Sequence, residues 1–466
     1  MTTDRATLRE EYHQFALTYL HGIQQQIRGG APITTEERIW FDQKTGHLRT
    51  GRPARIFYPD IAQSVAKGVK ELEVVQRIAR LFWTEVFSPL PHYSFQHASA
   101  ASGNSFEVML SEIIASLSRP IYEAAIMHET LPPPLDRIME AFERNLALWT
   151  ADHSEWTIVA PLQLCEVSAA YDLPGAIQIG PFTASEKNQI LDQWHLSHLI
   201  PQVDVPGLST ARSRFIWSVR TPFPGSTANP ERDVQRQFET VSRKALTALR
   251  LLHPGMVGFD RVYVRTSGPG LLPSSGRVWY DLTCRATNTG TLYTLATTDV
   301  DRLNSRLELI QKHSQSNMLK LALDRFNQGY SRLNLVDRLI DSVVALESIL
   351  TDRDDISYKF KMRGAALLAP DQDPYGVAKE LRDLYDARSS VVHNGETPKN
   401  LGRFLQSGEQ FCRDILNTVL ERFDSIIIQG KDAEKKRLIQ GIDKMILARL
   451  AAPTAPENQA PLESDD

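Results

Sequence analysis

Cysteine is nearly absent: the 466 residues hold three, Cys165, Cys284 and Cys412, far apart in sequence. They make no paired spacing of the kind that binds a metal, so they predict buried packing thiols in a reducing compartment. Long hydrophobic runs are missing too. No uninterrupted apolar stretch reaches the ~18 residues that suggest a membrane span, and Met1 to Glu10 lacks the apolar core of a secretory leader. These absences predict a cytoplasmic protein with no membrane partner.

Nor is there an excess of positive charge. Lysine and arginine number 52 against 56 aspartates and glutamates, a formal net charge of −4. Sequence-independent binding to phosphate backbones rests on accumulated Lys and Arg, so a basic nucleic-acid scaffold is excluded and any RNA contact has to be local. Gly268-Pro269-Gly270 lacks the Lys-Ser/Thr of a phosphate loop and the third glycine of a dinucleotide fingerprint, and reads as a flexible turn. His195 and His198 stand at i and i+3, a spacing some metal sites use. No acidic or cysteine partner completes the set and Pro201 ends the segment, so surface or packing roles are expected. The reading is of a chain with neither metal nor cofactor.

What is there is a sizeable core. Hydrophobic residues make up 42% of the chain, enough for two or three domains. Leu8, Tyr12, Phe15, Ala16, Leu20 and Ile23 recur at helical spacing, predicting a helix over 5–28 that Gly29-Gly30-Ala31-Pro32 stops. Further helices at Ile61 to Phe87, Phe106 to Leu117 and Leu135 to Trp149 make residues 1–150 mainly helical. From Trp156 the pattern changes to short aromatic and β-branched runs at 156–159, 176–179, 214–219, 261–264 and 277–280. Helices at Ala184 to Trp194 and Glu231 to Leu252 interrupt them, so 151–299 reads as α+β. Helical periodicity then returns at Arg302 to Phe326, Leu335 to Leu350, Asp355 to Leu368, Pro374 to His393, Asn400 to Ile428 and Ala433 to Leu450, an all-α domain over 300–450. Proline and acidic residues dominate 451–466, which is expected to be a disordered tail. The fold class is α+β.

The fourth C-terminal helix ends in Asp386-Ala387-Arg388-Ser389-Ser390-Val391-Val392-His393-Asn394-Gly395. An imidazole exchanges a proton near neutral pH and a guanidinium offers a planar fork of donors matched to phosphate, the groups that metal-free phosphodiester cleavage needs. Asn394-Gly395, with Pro398 soon after, is a stop signal, so His393 falls in the last turn, where the helix dipole favours a cation. Ser389 and His393 share a face at i and i+4. Arg388 lies about 140° around the helix from His393 at ~3.6 residues per turn. Convergence within one helix is imperfect, which favours a composite site between two copies related by a twofold axis. Spacing alone also allows His393 simply to cap carbonyls and Arg388 to be solvated or paired with Asp383 or Asp386. A rival pair, Arg306 and His313, would share a helix face, but no cap or turn is expected after His313 and the pair reads as solvated surface.

Together with Ala345-Leu346-Glu347-Ser348-Ile349-Leu350 and Arg363-Gly364-Ala365-Ala366-Leu367-Leu368, the order and spacing of Leu384 to Gly395 resemble the ApeA-like branch of the HEPN superfamily. The resemblance covers the last third of the chain. It implies a small antiparallel helical bundle that dimerises, and a metal-independent endoribonuclease of the kind found in toxin and phage-defence systems. Arg388 and His393 match the catalytic arginine and histidine, and Ser389 takes the polar place after the arginine, where asparagine or aspartate often stands. Glu347 matches a glutamate of related helices that either orients the arginine or forms a structural salt bridge. Tyr385 either stacks on a base or fills the core.

The implied reaction removes a proton from an RNA 2′-hydroxyl, which attacks phosphorus and leaves a 2′,3′-cyclic phosphate. The N-terminal region would then sense a trigger or bind an inhibitor. The resemblance equally admits a non-catalytic member that dimerises and binds RNA, a nucleotide or a protein partner. Lys431, Lys435, Lys436 and Arg437 interleave with Asp432 and Glu434 and are expected to form a solvated helical face, with RNA backbone contact as the alternative.

Overall fold

The computed structural model describes residues 5–29, 35–45, 47–56, 58–84, 106–128, 132–196, 205–222, 230–268, 274–281, 283–286, 291–352, 354–368, 373–424 and 432–451. The chain opens with α1 (Arg5–Arg28), β1 (Thr35–Phe41), β2 (Leu48–Ile56), α2 (Tyr58–Val69), α3 (Glu73–Phe82), α4 (Phe106–His128) and α5 (Leu135–Trp149). Then come β3 (His153–Leu162), β4 (Cys165–Val167), β5 (Tyr171–Leu173), β6 (Ile177–Pro181), α6 (Ala184–Leu196), α7 (Val205–Thr210), β7 (Ser213–Pro222), α8 (Pro230–Leu252), β8 (Arg261–Ser267), β9 (Ser274–Tyr280) and β10 (Tyr293–Leu295). The rest is helical: α9 (Val300–Lys312), α10 (Asn317–Ser331), α11 (Leu335–Leu350), α12 (Ile356–Leu368), α13 (Pro374–Asn394), α14 (Leu401–Arg422) and α15 (Asp432–Ala451). The architecture is mixed α+β with a helical C-terminal region.

Two compact units share the chain discontinuously. The first takes Met1–Pro161, Ala176–Glu239 and Arg261–Tyr280; the second takes Leu162–Gly175, Thr240–Asp260 and Asp281–Asp466.

In the first unit, α1 to α5 close around Tyr12, Phe15, Tyr19, Phe82, Phe142 and Trp149. The Tyr12 and Phe142 rings stack with centroids 3.7 Å apart, and the Tyr12 hydroxyl donates to the Leu117 carbonyl at 2.9 Å, satisfying its one polar group within the core. The helix expected over 61–87 is two, α2 and α3, parted at Lys70 to Leu72. There the Gln76 side chain donates to the Lys70 carbonyl at 2.8 Å, an alternative to a continuous ladder, and residues 85–87 lie outside the described set. Conversely α4 runs through Pro120 to His128, well past Leu117, because its buried face continues with Ile121, Ala124 and Ala125. The antiparallel hairpin of β1 and β2 is an element that the mainly helical reading of residues 1–150 did not include. Its turn is set by Asp42, whose carboxylate accepts from the amides of Lys44 at 3.0 Å and Thr45 at 2.8 Å. Four of the five expected strand runs fall within strands and the fifth, 176–179, does so from Ile177 onward, Ala176 being a turn residue at φ 59°; the strands of this unit lie in the order β6-β7-β3-β8-β9. Its pairings β6–β7, β3–β8 and β8–β9 are antiparallel.

In the second unit β4 and β10 pair in parallel, and α9 to α15 supply most of the mass. The helix expected over Arg302 to Phe326 is two. α9 ends at Lys312 with His313 as its closing residue, and Ser316 caps α10 by accepting from the Leu319 amide at 3.2 Å. The helix expected to reach Ile428 ends at Arg422, and residues 425–431 lie outside the described set, as do 452–466, where the disordered tail is expected. Leu339, Leu346, Ile349, Phe360, Leu381, Leu384, Ile415 and Val419 are all buried and form the apolar interior onto which the candidate site is built.

Candidate functional site

Helix α13 carries most of the expected residues, and its ends are set by local chemistry. Asp373 caps the start, its carboxylate accepting from the Tyr375 and Gly376 amides at 3.0 and 2.9 Å, with Pro374 in the first turn. Gly395 closes the helix in the left-handed conformation, φ 68°, its amide donating to the Val391 carbonyl at 3.0 Å. The expected stop is therefore present, and His393 sits in the last turn. Val377, Leu381, Leu384 and Ala387 form the buried stripe. The approach to α12 is close: a Cβ on Gly364 would stand 2.6 Å from Leu381 Cδ1.

Glu347 lies in the last turn of α11. Its carbonyl accepts from the Thr351 amide at 3.2 Å and the Thr351 hydroxyl at 2.8 Å, which ties off that turn. The carboxylate faces α13, where Arg388 Nη2 donates to Glu347 Oε2 at 3.4 Å, longer than the ~2.7–2.9 Å of a strong charge-assisted bond. The two side chains are only 20% and 19% exposed, and Arg388 Nε is shielded from solvent with no acceptor among the described residues. Burial pushes the Glu347 carboxyl above its usual range, against the opposing pull of Arg388 and Lys435. Tyr385 belongs to the same cluster. Burial, followed by the Glu347 charge, raises its phenol, and its ring lies 5.4 Å from that of Phe360.

The structure thus brings Glu347, Arg388 and Tyr385 together. Asp383 does not hold the arginine but lies 3.6 Å from Arg382. Ser389 is half-buried, and Ser390 donates to the Glu396 carboxylate at 3.4 Å. His393 is exposed, as is its neighbour Val392.

Two expectations are corrected. Arg306 and His313 are not solvated surface: they are 7% and 5% exposed. Arg306 pairs with Glu421, and His313 Nε2 lies 2.6 Å from Asp424 Oδ1, so both fasten α9 to the end of α14. A turn does follow His313, because Ser316 starts the next helix there. The α15 cluster is not uniformly solvated either. Lys436 and Arg437 are exposed, but Lys435 is half-buried, and burial lowers its ammonium against the pull of Asp352 and Glu347. Lys431 lies outside the described residues.

Sequence reasoning missed the anchor beneath this cluster. Arg363, 5% exposed, donates to both Asp443 oxygens at 2.8 and 3.1 Å and to the Leu350 carbonyl at 3.0 Å, joining α12, α15 and the end of α11. The readable signal was the stripe Lys435, Leu438, Ile439, Ile442, in which a lysine shares the face of three buried residues.

The remaining candidates add little chemistry. The side chain of His195 and the whole of His198 lie outside the described set, as do Pro269 and Gly270; among the described residues no group of three or more His, Cys, Asp or Glu is placed to hold a metal. All three cysteines are buried and lie outside any disulfide among the described residues, and burial pushes the Cys284 thiol up to about 12. No helix among the described residues is long and apolar enough to cross a membrane. No family model matches the chain, and neither a curated protein nor a solved structure matches it.

Proposed function

We propose that the α11–α13 site belongs to a metal-independent endoribonuclease of the HEPN type, acting in antiphage defence or growth arrest. The observation that carries this reading is the Arg388–Glu347 pair. Burial raises the Glu347 carboxyl against the pull of Arg388 and Lys435, a perturbation of the kind that clusters at functional sites. The carboxylate orients a guanidinium on the helix whose capped end leaves an imidazole exposed.

In this reading His393 takes the proton from an RNA 2′-hydroxyl, whose oxygen attacks the adjacent phosphorus. The P–O5′ bond breaks, the 5′-oxygen leaves with a proton from a second imidazolium, and Arg388 stabilises the charge that builds on the phosphoryl oxygens. The products are a 2′,3′-cyclic phosphate and a 5′-hydroxyl. The second imidazole is the His393 of a second copy brought in across a twofold axis, a pairing that also offsets the ~140° between Arg388 and His393 on one helix. Residues 1–299 are assigned the sensing or restraining role.

The test is incubation of the purified protein with mixed RNA in EDTA, followed by analysis of the ends. Cutting to cyclic phosphate ends, lost in both His393→Ala and Arg388→Ala while they stay folded, supports the reading; cutting that needs Mg²⁺ and leaves 5′-phosphates sinks it. One observation favours a second reading: Arg388 Nη2 already contacts the Glu347 carboxylate, as in a structural pair. Binding of RNA, a nucleotide or a protein partner without cutting would establish that non-catalytic alternative.

A further inference from the structure

Helix α1 is free of charge over most of its length. From Tyr12 to Ile27 it carries no Asp, Glu, Lys or Arg, although 23% of the chain is charged and exposed helix faces are where such residues gather. Its polar groups there are carboxamides, imidazoles and hydroxyls, and the exposed Leu17, His21 and Gln25 stand on one face.

That face is one wall of a cleft of about 540 Å³, within the range of small-molecule sites. Leu17, His21 and Gln25 line it as one i, i+4 row and Thr18, Gly22 and Gln26 as the next, a wall about 14 Å long at ~1.5 Å per residue. The other wall comes from Val65, Gly68 and Val69 of α2 and from Leu72 just before α3. The two helices close on each other at Gly22, where a Cβ would stand 3.0 Å from Val65 Cγ1, and Val65 and Val69 are buried at this seam. Gly68 has no such packing role. It is exposed, its φ is not left-handed, and a Cβ added there would meet nothing within 4 Å. Glycine weakens a helix and is used where a ligand comes close to the backbone; at 68 it keeps the cleft clear of a side chain.

The lining selects a class of ligand. With no charged side chain in it, a phosphate, carboxylate or ammonium group would leave water for no opposite charge. Its apolar part is open: Leu17 and Leu72, one from each wall, are 43% and 44% exposed, enough surface to cover a flat ring. Its polar part sets donors beside acceptors. Gln25 Nε2 lies 2.9 Å from His21 Nε2, which leaves Gln25 Oε1 to accept, and the Thr18 hydroxyl donates to the Gln14 carbonyl at 2.9 Å, which leaves its oxygen to accept. The Gln26 carboxamide makes no hydrogen bond among the described residues. A glutamine carboxamide matches the amino group and adjacent ring nitrogen of adenine in a two-pronged pair.

We infer that the cleft between α1 and α2 binds an uncharged purine, adenine or its nucleoside, with the Gln25 and Gln26 carboxamides on the amino edge and Leu17 and Leu72 against the ring. This gives the N-terminal region a ligand whatever the chemistry at Arg388.

The probe is adenosine, titrated onto the full chain and followed by saturation-transfer NMR and calorimetry. The wild-type protein is expected to bind adenosine, to bind purine riboside, which lacks the amino group, about tenfold more weakly, and to bind AMP no more tightly than adenosine. Gly68→Leu fills the cleft from a position where nothing stands in the way, and is expected to abolish binding without lowering the thermal melt. Gln25→Leu/Gln26→Leu is expected to weaken binding by about tenfold or more, and it decides the matter alone if Gly68→Leu melts early. Arg388→Ala is expected to bind as the wild type does. No binding at millimolar adenosine, full binding in the glutamine variant or in a folded Gly68→Leu, equal affinity for adenosine and purine riboside, or binding lost in Arg388→Ala overturns the inference. Tighter binding of a neutral peptide, acetyl-trialanine amide, would assign the cleft to a protein segment and overturn it too. A protein that binds adenosine here and cuts no RNA sinks the nuclease reading alone.

Discussion

Arg388 on α13 meets Glu347 on α11 at 3.4 Å, and neither side chain is more than 20% exposed. The pair spans two helices held by independent devices: Thr351 and Arg363 at the end of α11, Asp373 and Gly395 at the two ends of α13. Its geometry is therefore set by the bundle rather than by two flexible surface chains, and several outcomes follow from that.

Glu347→Gln is expected to show a pH-dependent stability difference. Burial raises the folded-state carboxyl, so the stability this group contributes is present below its unfolded pKa of about 4.3 and lost as pH rises through the folded value. The variant should match the parent in urea at low pH and gain on it as pH rises. A Gln variant that is less stable at pH 8 would mean the ion pair is net stabilising.

His393→Ala and Arg388→Ala should differ in stability while sharing the loss of RNA cutting. His393 is exposed, and its removal is expected to leave the unfolding free energy within about 0.5 kcal/mol. Arg388→Ala leaves a largely buried carboxylate with one cation fewer, expected to cost about 1–3 kcal/mol. Denaturant melts read both, and equal destabilisation would contradict the placement of His393.

Gly395→Ala and Gly364→Ala test the frame of α13. At φ 68° an alanine at 395 costs roughly 1 kcal/mol and loosens the turn that carries His393. At 364 the new methyl meets Leu381 Cδ1 at 2.6 Å, an overpacking expected to cost about 1–3 kcal/mol. Thermal melts distinguish them, with the larger shift expected for 364.

The fastening of α9 to α14 should be sensitive to acid. The Lys312 ammonium, at 2.6 Å, and then His313 hold the Asp424 carboxyl below its usual range. A depressed carboxylate contributes stability above its unfolded pKa of about 3.9 that is lost as pH falls through the folded value. Asp424→Asn should remove that part of the acid sensitivity and little else. An unchanged stability profile below pH 4 would show that the pair contributes nothing.

Much of this protein was legible from local chemistry. Residues 5–28 and Leu135 to Trp149 carry apolar periods that match the observed helices end to end. Asn394-Gly395 announced its own cap, because a left-handed closing residue is a property of a few consecutive side chains. The five strand runs were visible in their β-branched and aromatic content. The hairpin of β1 and β2 was not, since Glu36, Glu37, Arg38, Arg49, Arg52 and Pro53 disguise its strands. The breaks at Lys70 to Leu72 and at His313 to Ser316 were hidden because hydrophobic period continues across both and only a few local hydrogen bonds interrupt the ladder.

The sequence by itself determined the element types, the capped end of α13 and the presence of an arginine and a histidine on that helix, since each follows from residues within a turn or two of one another. Only the tertiary structure decided which groups share an environment. The burial of Arg306 and His313, the meeting of Glu347 with Arg388 and the clamping of Asp443 by Arg363 depend on helices separated by 41 or more residues coming together. Burial and long-range charge are properties of that packing, and no local window of the chain contains them.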